Sequence, residues 1–198
     1  MIKLKVTKKS VSVVQLNDSI KQNLGVFYLS KIPHSESMSL SAEDASRILL
    51  WASSTTRFSW FLKIKSICKG EAYWKTLSFA YTCSDNLCDY HKEIKLAFQS
   101  KEANRNCLMK TIELEFLKQL PDQLTIYRGM TVEEYESGNW GVSWTLNRDT
   151  ATFFCDMYDR NYRDKDKHKM VHAVTIDKCK AIAYLNDREE QEIIYVNQ

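Results

Sequence analysis

The sequence predicts an α+β protein: a mainly helical region over residues 1–120, then a mixed-β core over residues 121–198. Three observations predict it. From residue 36 to residue 120 apolar side chains recur three and four apart, the period of a helix with one buried face. Beyond Pro121 the pattern shifts to short β-type runs broken by polar and charged segments. The charge shifts at the same place: residues 1–120 hold 18 Lys/Arg against 11 Asp/Glu, and residues 121–198 hold 10 against 14. A basic first part and an acidic second part, within the size of one compact domain overall, are expected.

The elements follow in order. Residues 2–16 alternate as a strand does, with Ile2, Leu4, Val6, Val11, Val13 and Val14 apolar, and Val26 to Leu29 is a second short strand. Ser35 to Ser41 is a polar loop. Ser41 stands as an N-cap, and Glu43 and Asp44 suit the positive end of the helix it opens. Residues 57–81 interleave Phe58, Trp60, Phe61, Tyr73, Trp74, Phe79 and Tyr81 with Arg57, Lys63, Lys65, Lys69 and Lys75. Such a mixture either stacks nucleic-acid bases or forms an aromatic core with a basic back. His91 to Leu120 reads as a long helix with an apolar stripe at Leu108, Ile112, Phe116 and Leu120, widened by Met109 and Leu117 and stopped by Pro121.

In the second part, Leu124 to Tyr127 is a strand ending at Arg128-Gly129, and Trp140 to Leu146 is another. Asn147 caps a helix over 148–158 that turns Ala151, Phe154 and Cys155 inward. Residues 159–169 form a charged connection. Met170 to Ile176, Ala181 to Tyr184 and Glu189 to Val196 complete the strands.

Three short motifs on these elements carry chemistry. Tyr127-Arg128-Gly129 ends a strand; arginine offers a planar, permanently charged fork for a phosphate, and a glycine lets a ligand approach the backbone. Ser143-Trp144-Thr145 places two hydroxyls on one strand face and an indole on the other. Glu190-Gln191-Glu192, read as strand, sets two carboxylates on one face about 7 Å apart, with Ile193 and Tyr195 facing a core. Paired carboxylates are suited to acid–base work, and equally to a solvated strand face.

The order Arg128, Ser143-x-Thr145, Glu190-x-Glu192 resembles the arginine–serine–glutamate branch of the mono-ADP-ribosyltransferases, which includes bacterial toxins and phage-borne transferases. The resemblance spans about residues 122–196; residues 1–120 carry no matching motif. It implies an ADP-ribosyltransferase-like NAD-binding core and NAD+ as co-substrate, with no metal. By that resemblance Tyr127, Arg128 and Gly129 bind NAD+, Arg128 at a phosphate. Ser143 and Thr145 line the nicotinamide-ribose pocket, and Ser143 orients Glu192. Glu192 holds the ribose 2′-hydroxyl and stabilises the charge that develops as nicotinamide leaves. Glu190 orients or deprotonates the acceptor, Tyr184 stacks on it, and residues 159–169 cover NAD+ with Arg160 or Arg163 adding phosphate contacts. Two departures from the family pattern stand out. Trp144 occupies a position where a small hydroxyl residue is commoner, and Thr145 stands where serine is usual.

The implied function is a mono-ADP-ribosyltransferase of toxin or effector type acting on a macromolecular acceptor. The Glu-x-Glu form is similar to that of arginine-modifying members. Some family toxins modify bases instead, including messenger RNA in bacterial anti-phage toxin–antitoxin–chaperone systems, so protein and RNA acceptors both stay open. So do an inactive transferase-like nucleic-acid-binding module and an NAD glycohydrolase without acceptor. An enzyme toxic to its own host implies an antitoxin or chaperone partner. The sequence shows no secretory pattern and no apolar run long enough to span a bilayer, so a cytoplasmic protein with reduced thiols at its six cysteines is expected. Cys83, Cys88, His91 and Cys107 match no common zinc spacing.

Overall fold

The computed structural model describes residues 3–7, 10–14, 39–156 and 167–197. The chain is α+β and divides into two compact units, Met1–Leu108 and Met109–Gln198. The division lies before residue 120 because Met109, Leu117 and Leu120 pack against the core of the second unit's sheet. The segment 109–120 therefore belongs with the β part. No helix among the described residues is long and apolar enough to cross a membrane. The expected strand at 26–29 and loop at 35–38 lie outside the described residues, as does 157–166, which includes Arg160 and Arg163.

In the first unit, β1 (Lys3–Thr7) and β2 (Ser10–Val14) pair antiparallel, so the alternating stretch near the N-terminus is two strands. The two-residue β3 (Ser39–Leu40) runs parallel to β2. Four helices follow: α1 (Ala42–Leu50), α2 (Arg57–Ile64), α3 (Glu71–Thr82) and α4 (His91–Phe98). Ser41 caps α1 as expected, its Oγ accepting from the Asp44 N–H at 3.1 Å. The far end of α1 is closed by Arg57, which donates to the Leu49 and Ala52 carbonyls at 3.1 and 3.0 Å.

The aromatic segment is core. Phe58, Trp60, Phe61, Tyr73, Trp74 and Tyr81 are all buried, with rings meeting tilted or edge-on at 5.0–5.7 Å. These six rings are spent on packing, and Phe79, half-buried, has the Arg57 guanidinium 5.4 Å from its ring centroid. The expected long helix from His91 to Leu120 is also interrupted. Asn104 adopts a left-handed φ of 63°, and the Glu102 carboxylate turns away to accept the Gly70 N–H at the start of α3. That cap, with the Trp74 indole donating to the Glu102 and Ala103 carbonyls, holds the chain out of helix.

The second unit begins with α5 (Thr111–Gln119) and contains β4 (Gln123–Thr131), α6 (Val132–Ser137), β5 (Ser143–Thr145), α7 (Arg148–Asp156), β6 (Lys169–Asp177), β7 (Ala183–Leu185) and β8 (Glu192–Ile194). The strands form one antiparallel sheet in the order β6-β4-β5-β8-β7. Alternation on β4 sends Leu124, Ile126 and Met130 to a core shared with Trp144, Ile176, Tyr184 and Ile193. The opposite face, carrying Tyr127 and Gly129, is covered by α7, whose start is capped by Asn147 Oδ1 accepting from the Asp149 and Thr150 N–H groups.

Two expectations about this unit are corrected. The stripe on α5 faces inward only in part: Leu117, with the flanking Met109 and Leu120, packs on the core, whereas Ile112 is 73% exposed and Phe116 40% exposed, and Glu113 is the buried residue of the helix. The last strand is three residues long instead of running from Glu189. Glu189 and Gln191 have φ of 58° and 48°, and left-handed residues cannot continue a pleat.

Candidate active site

The pleat of three adjacent strands assembles the site. Cross-strand partners share a face, and the register pairs Tyr127 with Thr145 and Thr145 with Glu192. Tyr127, Ser143, Thr145 and Glu192 therefore rise from one face, and Trp144 and Ile193 from the other. A cavity of about 360 Å³ opens over the first face, within the range of small-molecule sites. Its walls come from the end of β4, from β5, from α7 and from the loop before β8.

Glu192 lies at the floor, only 3% exposed. Ser143 Oγ donates to its Oε1 at 2.5 Å, and the Arg188 guanidinium sits 3.4 Å from its Oε2. Arg188 also reaches Oε2 of Glu190 at 3.2 Å. A cation bridging two carboxylates offsets their mutual repulsion and fixes their spacing. Glu190 lines the cavity but stands on a loop, not on β8. Its main chain is fixed instead: Thr145 Oγ1 donates to the Glu190 carbonyl at 2.7 Å, and Leu146 N donates to the Gln191 carbonyl at 3.1 Å.

That bond revises the part expected of Thr145. Its hydroxyl is buried, donates to Glu190 and accepts from the Asn147 N–H at 3.0 Å. Thr145 lines the cavity and ties the glutamate loop to the start of α7. Gly129 is revised as well. A Cβ there would come within 2.6 Å of the Ala151 carbonyl and 2.8 Å of the Cys155 nitrogen. The glycine serves the close approach of α7 to β4, and it also lines the cavity.

Tyr184 is withdrawn as an acceptor-stacking residue. It is 4% exposed, belongs to the sheet's core and stacks on Phe116 with centroids 4.5 Å apart. Its register opposite Ile193 turns it to the face away from the cavity. Burial raises its phenol pKa, with Glu113 adding to the effect.

Arg128 lines the cavity but begins on the other face of β4, opposite His172. Its guanidinium passes beneath Gly141, where an added Cβ would collide with it. Nε donates to Glu134 at 2.9 Å and a terminal nitrogen donates to the Ser143 carbonyl at 2.8 Å. The second bond links Arg128 to the strand that orients Glu192. Next to it, His172 is ringed by Tyr135, Trp140 and Trp144, and burial lowers its pKa.

Sequence reading missed Glu134 and Arg188. A signal for the first is present in Thr131-Val-Glu-Glu134: Thr131 Oγ1 accepts from the Glu134 N–H at 3.1 Å, the start of a capping pattern that fixes Glu134 under Arg128. For Arg188 the one sequence cue is its place two and four residues before the glutamates. Lys169, read as part of a charged connection, begins β6 and lines the cavity. No family model matches the chain, and it matches no curated protein and no solved structure.

Proposed function

We propose that this chain is an NAD+-dependent mono-ADP-ribosyltransferase of toxin or effector type, with an ADP-ribosyltransferase-like core in its second unit. The observation that supports it best is the bond from Ser143 Oγ to Glu192, two residues 49 positions apart, at the floor of a cavity that also holds Arg128 and Glu190. A hydroxyl at Oε1 and a cation near Oε2 hold a nearly buried carboxylate that lines the cavity, leaving it little freedom to turn. Such preorganisation is effective where positive charge develops in a transition state.

On this reading Arg128 and Lys169 supply positive charge for the NAD+ phosphates. Glu192 holds the nicotinamide-ribose 2′-hydroxyl. The bond from ribose C1′ to the nicotinamide nitrogen breaks, nicotinamide leaves with the bonding pair, and Glu192 opposes the charge left at C1′. The acceptor nucleophile then bonds to C1′ from the opposite side, and its proton passes to Glu190. The acceptor is a macromolecule, either a protein guanidinium or an RNA base. An active enzyme of this kind in its host's cytoplasm needs restraint, which is the case for an antitoxin or chaperone partner.

The test is incubation of the protein with NAD+ labelled in the adenylate part and a bacterial cell extract. Nicotinamide release is measured, and label on macromolecules is followed through protease or ribonuclease treatment. Release with label lost to one of the two treatments is expected and names the acceptor class. Release without label makes the protein an NAD glycohydrolase. Neither release nor label from folded protein refutes the enzyme.

A further inference from the structure

The buried acid of α5 has no part in the chemistry just described, yet it holds the loop that carries Glu190. Glu113 is 5% exposed. Its Oε2 accepts the Lys110 N–H at 2.8 Å, closing the N-terminus of its own helix. Its Oε1 accepts the Asn186 N–H at 2.8 Å, across 73 residues of sequence. From Asn186 the chain of contacts runs inward. Asn186 Oδ1 accepts the Gln191 N–H at 3.0 Å, and the Asn186 carbonyl accepts the Glu189 N–H at 3.0 Å. The loop is thus closed on itself around Glu190, with Glu189 and Gln191 held left-handed on either side of it. Lys110 and Asp187 add an ion pair across the same junction.

Left-handed backbone at two non-glycine residues is unfavourable in isolation and persists where surrounding bonds determine it. Here those bonds come from Thr145 and Leu146 on one side and from Asn186 on the other, and Asn186 is anchored by Glu113. Glu192 has supports outside this junction: it is on β8, paired with Thr145 of β5, and accepts from Ser143 Oγ, while Arg188 reaches it from the loop. The two carboxylates share Arg188 and the neighbourhood of β5, but only the loop of Glu190 is tied through Asn186 to a helix outside the sheet.

We propose that Glu113 is a positioning residue for Glu190: by fixing Asn186 it sets the glutamate loop for handling the acceptor, while the nicotinamide-releasing end of the site stands without it. This rests on the transferase reading above. A carboxylate is required because both its oxygens accept from backbone N–H groups; a glutamine keeps one acceptor and turns an amide against the other N–H.

The test compares wild type, Glu113→Gln and Asn186→Ala, each with labelled NAD+ and the same bacterial extract, reading nicotinamide release and macromolecular label in each sample. Asn186→Ala keeps the backbone N–H that Glu113 holds and removes the side-chain acceptor for Gln191, so it breaks the next link alone. In both variants the ratio of label to nicotinamide is expected to fall by roughly tenfold or more, since misplacing a reacting group by about 1 Å costs up to ~10²-fold. A purely structural loss lowers label and nicotinamide together and leaves their ratio at the wild-type value; that result, in both variants, overturns the proposal. A wild type that releases no nicotinamide refutes the transferase reading itself.

Discussion

Arg128 and Glu134 form an ion pair of 2.9 Å in which each side chain is about one-fifth exposed. The Glu134 Oε1 that receives Arg128 Nε also accepts the Gly141 N–H at 2.7 Å. The cation proposed for a phosphate is therefore already matched by an anion, and that anion weakens its pull on a ligand. Glu134→Gln keeps an oxygen for both bonds and removes the charge. NAD+ affinity, measured by calorimetry, is expected to rise by roughly two- to fivefold, the scale of one partly screened charge. Unchanged or weaker binding by the folded variant would remove Arg128 from the phosphate site.

Ser143 and Glu192 give the second test. In Ser143→Ala the carboxylate keeps its sheet position and Arg188 but loses the hydroxyl at Oε1. A hydrogen bond to a charged group contributes about 1.5–3 kcal/mol, so nicotinamide release is expected to slow by roughly ten- to hundredfold. Glu192→Gln is expected to abolish it, with the melting temperature close to that of wild type. Wild-type rates in Glu192→Gln would place the chemistry elsewhere.

What sequence could and could not reveal follows from the range of each interaction. Caps at Ser41 and Asn147 are bonds between a side chain and a backbone three residues away or less, and they stand as read. The apolar alternation on β4 likewise locates its core face, because period and burial are both local. The grouping of Ser143 with Glu192 was implied by the family resemblance, and the structure brings the two side chains together. The loop geometry around Glu190 was not: it depends on Glu113 and Thr145, 77 and 45 residues away, and nothing in Glu-Gln-Glu itself signals two left-handed neighbours. Tyr184 misled for a similar reason: its residue type suits ligands, and its partner is Phe116, brought against it by the fold.

Cys68 allows a test of the first unit. It is fully buried, and burial pushes its thiol up to about 12 from an ordinary 9.0. Between those two values the unfolded chain gives up this proton and the folded chain keeps it. Stability therefore falls as pH rises through that window, by at most about 1.4 kcal/mol per unit for one group. Burial of Tyr73, whose pKa is also raised, acts in the same direction. Denaturant midpoints are expected to decline from pH 9 upward. In the native protein at pH 8, an alkylating reagent is expected to label the exposed Cys88 and Cys179 and to leave Cys68 intact until the chain unfolds. Rapid native labelling of Cys68 would show that the aromatic core around it is open.

Two glycines at the cavity separate stability from ligand binding. At Gly129 an added methyl meets backbone atoms of α7, which cannot rotate aside, so the helix itself must move. Gly129→Ala is expected to lower stability by about 1–3 kcal/mol, which for a chain of this size is about 2–4 °C of melting temperature per kcal/mol. At Gly141 the methyl meets the far end of the Arg128 side chain, which can swing away at small cost. Gly141→Ala is expected to melt near wild type while displacing the guanidinium from Glu134 and from the Ser143 carbonyl. Its NAD+ affinity is then expected to fall with little change in fold, as read by calorimetry beside a thermal melt. If Gly141→Ala bound NAD+ as wild type does, the position of Arg128 beneath Gly141 would have no bearing on the ligand. If Gly129→Ala melted as wild type does, the close packing of α7 on β4 would not be what holds that wall of the cavity in place.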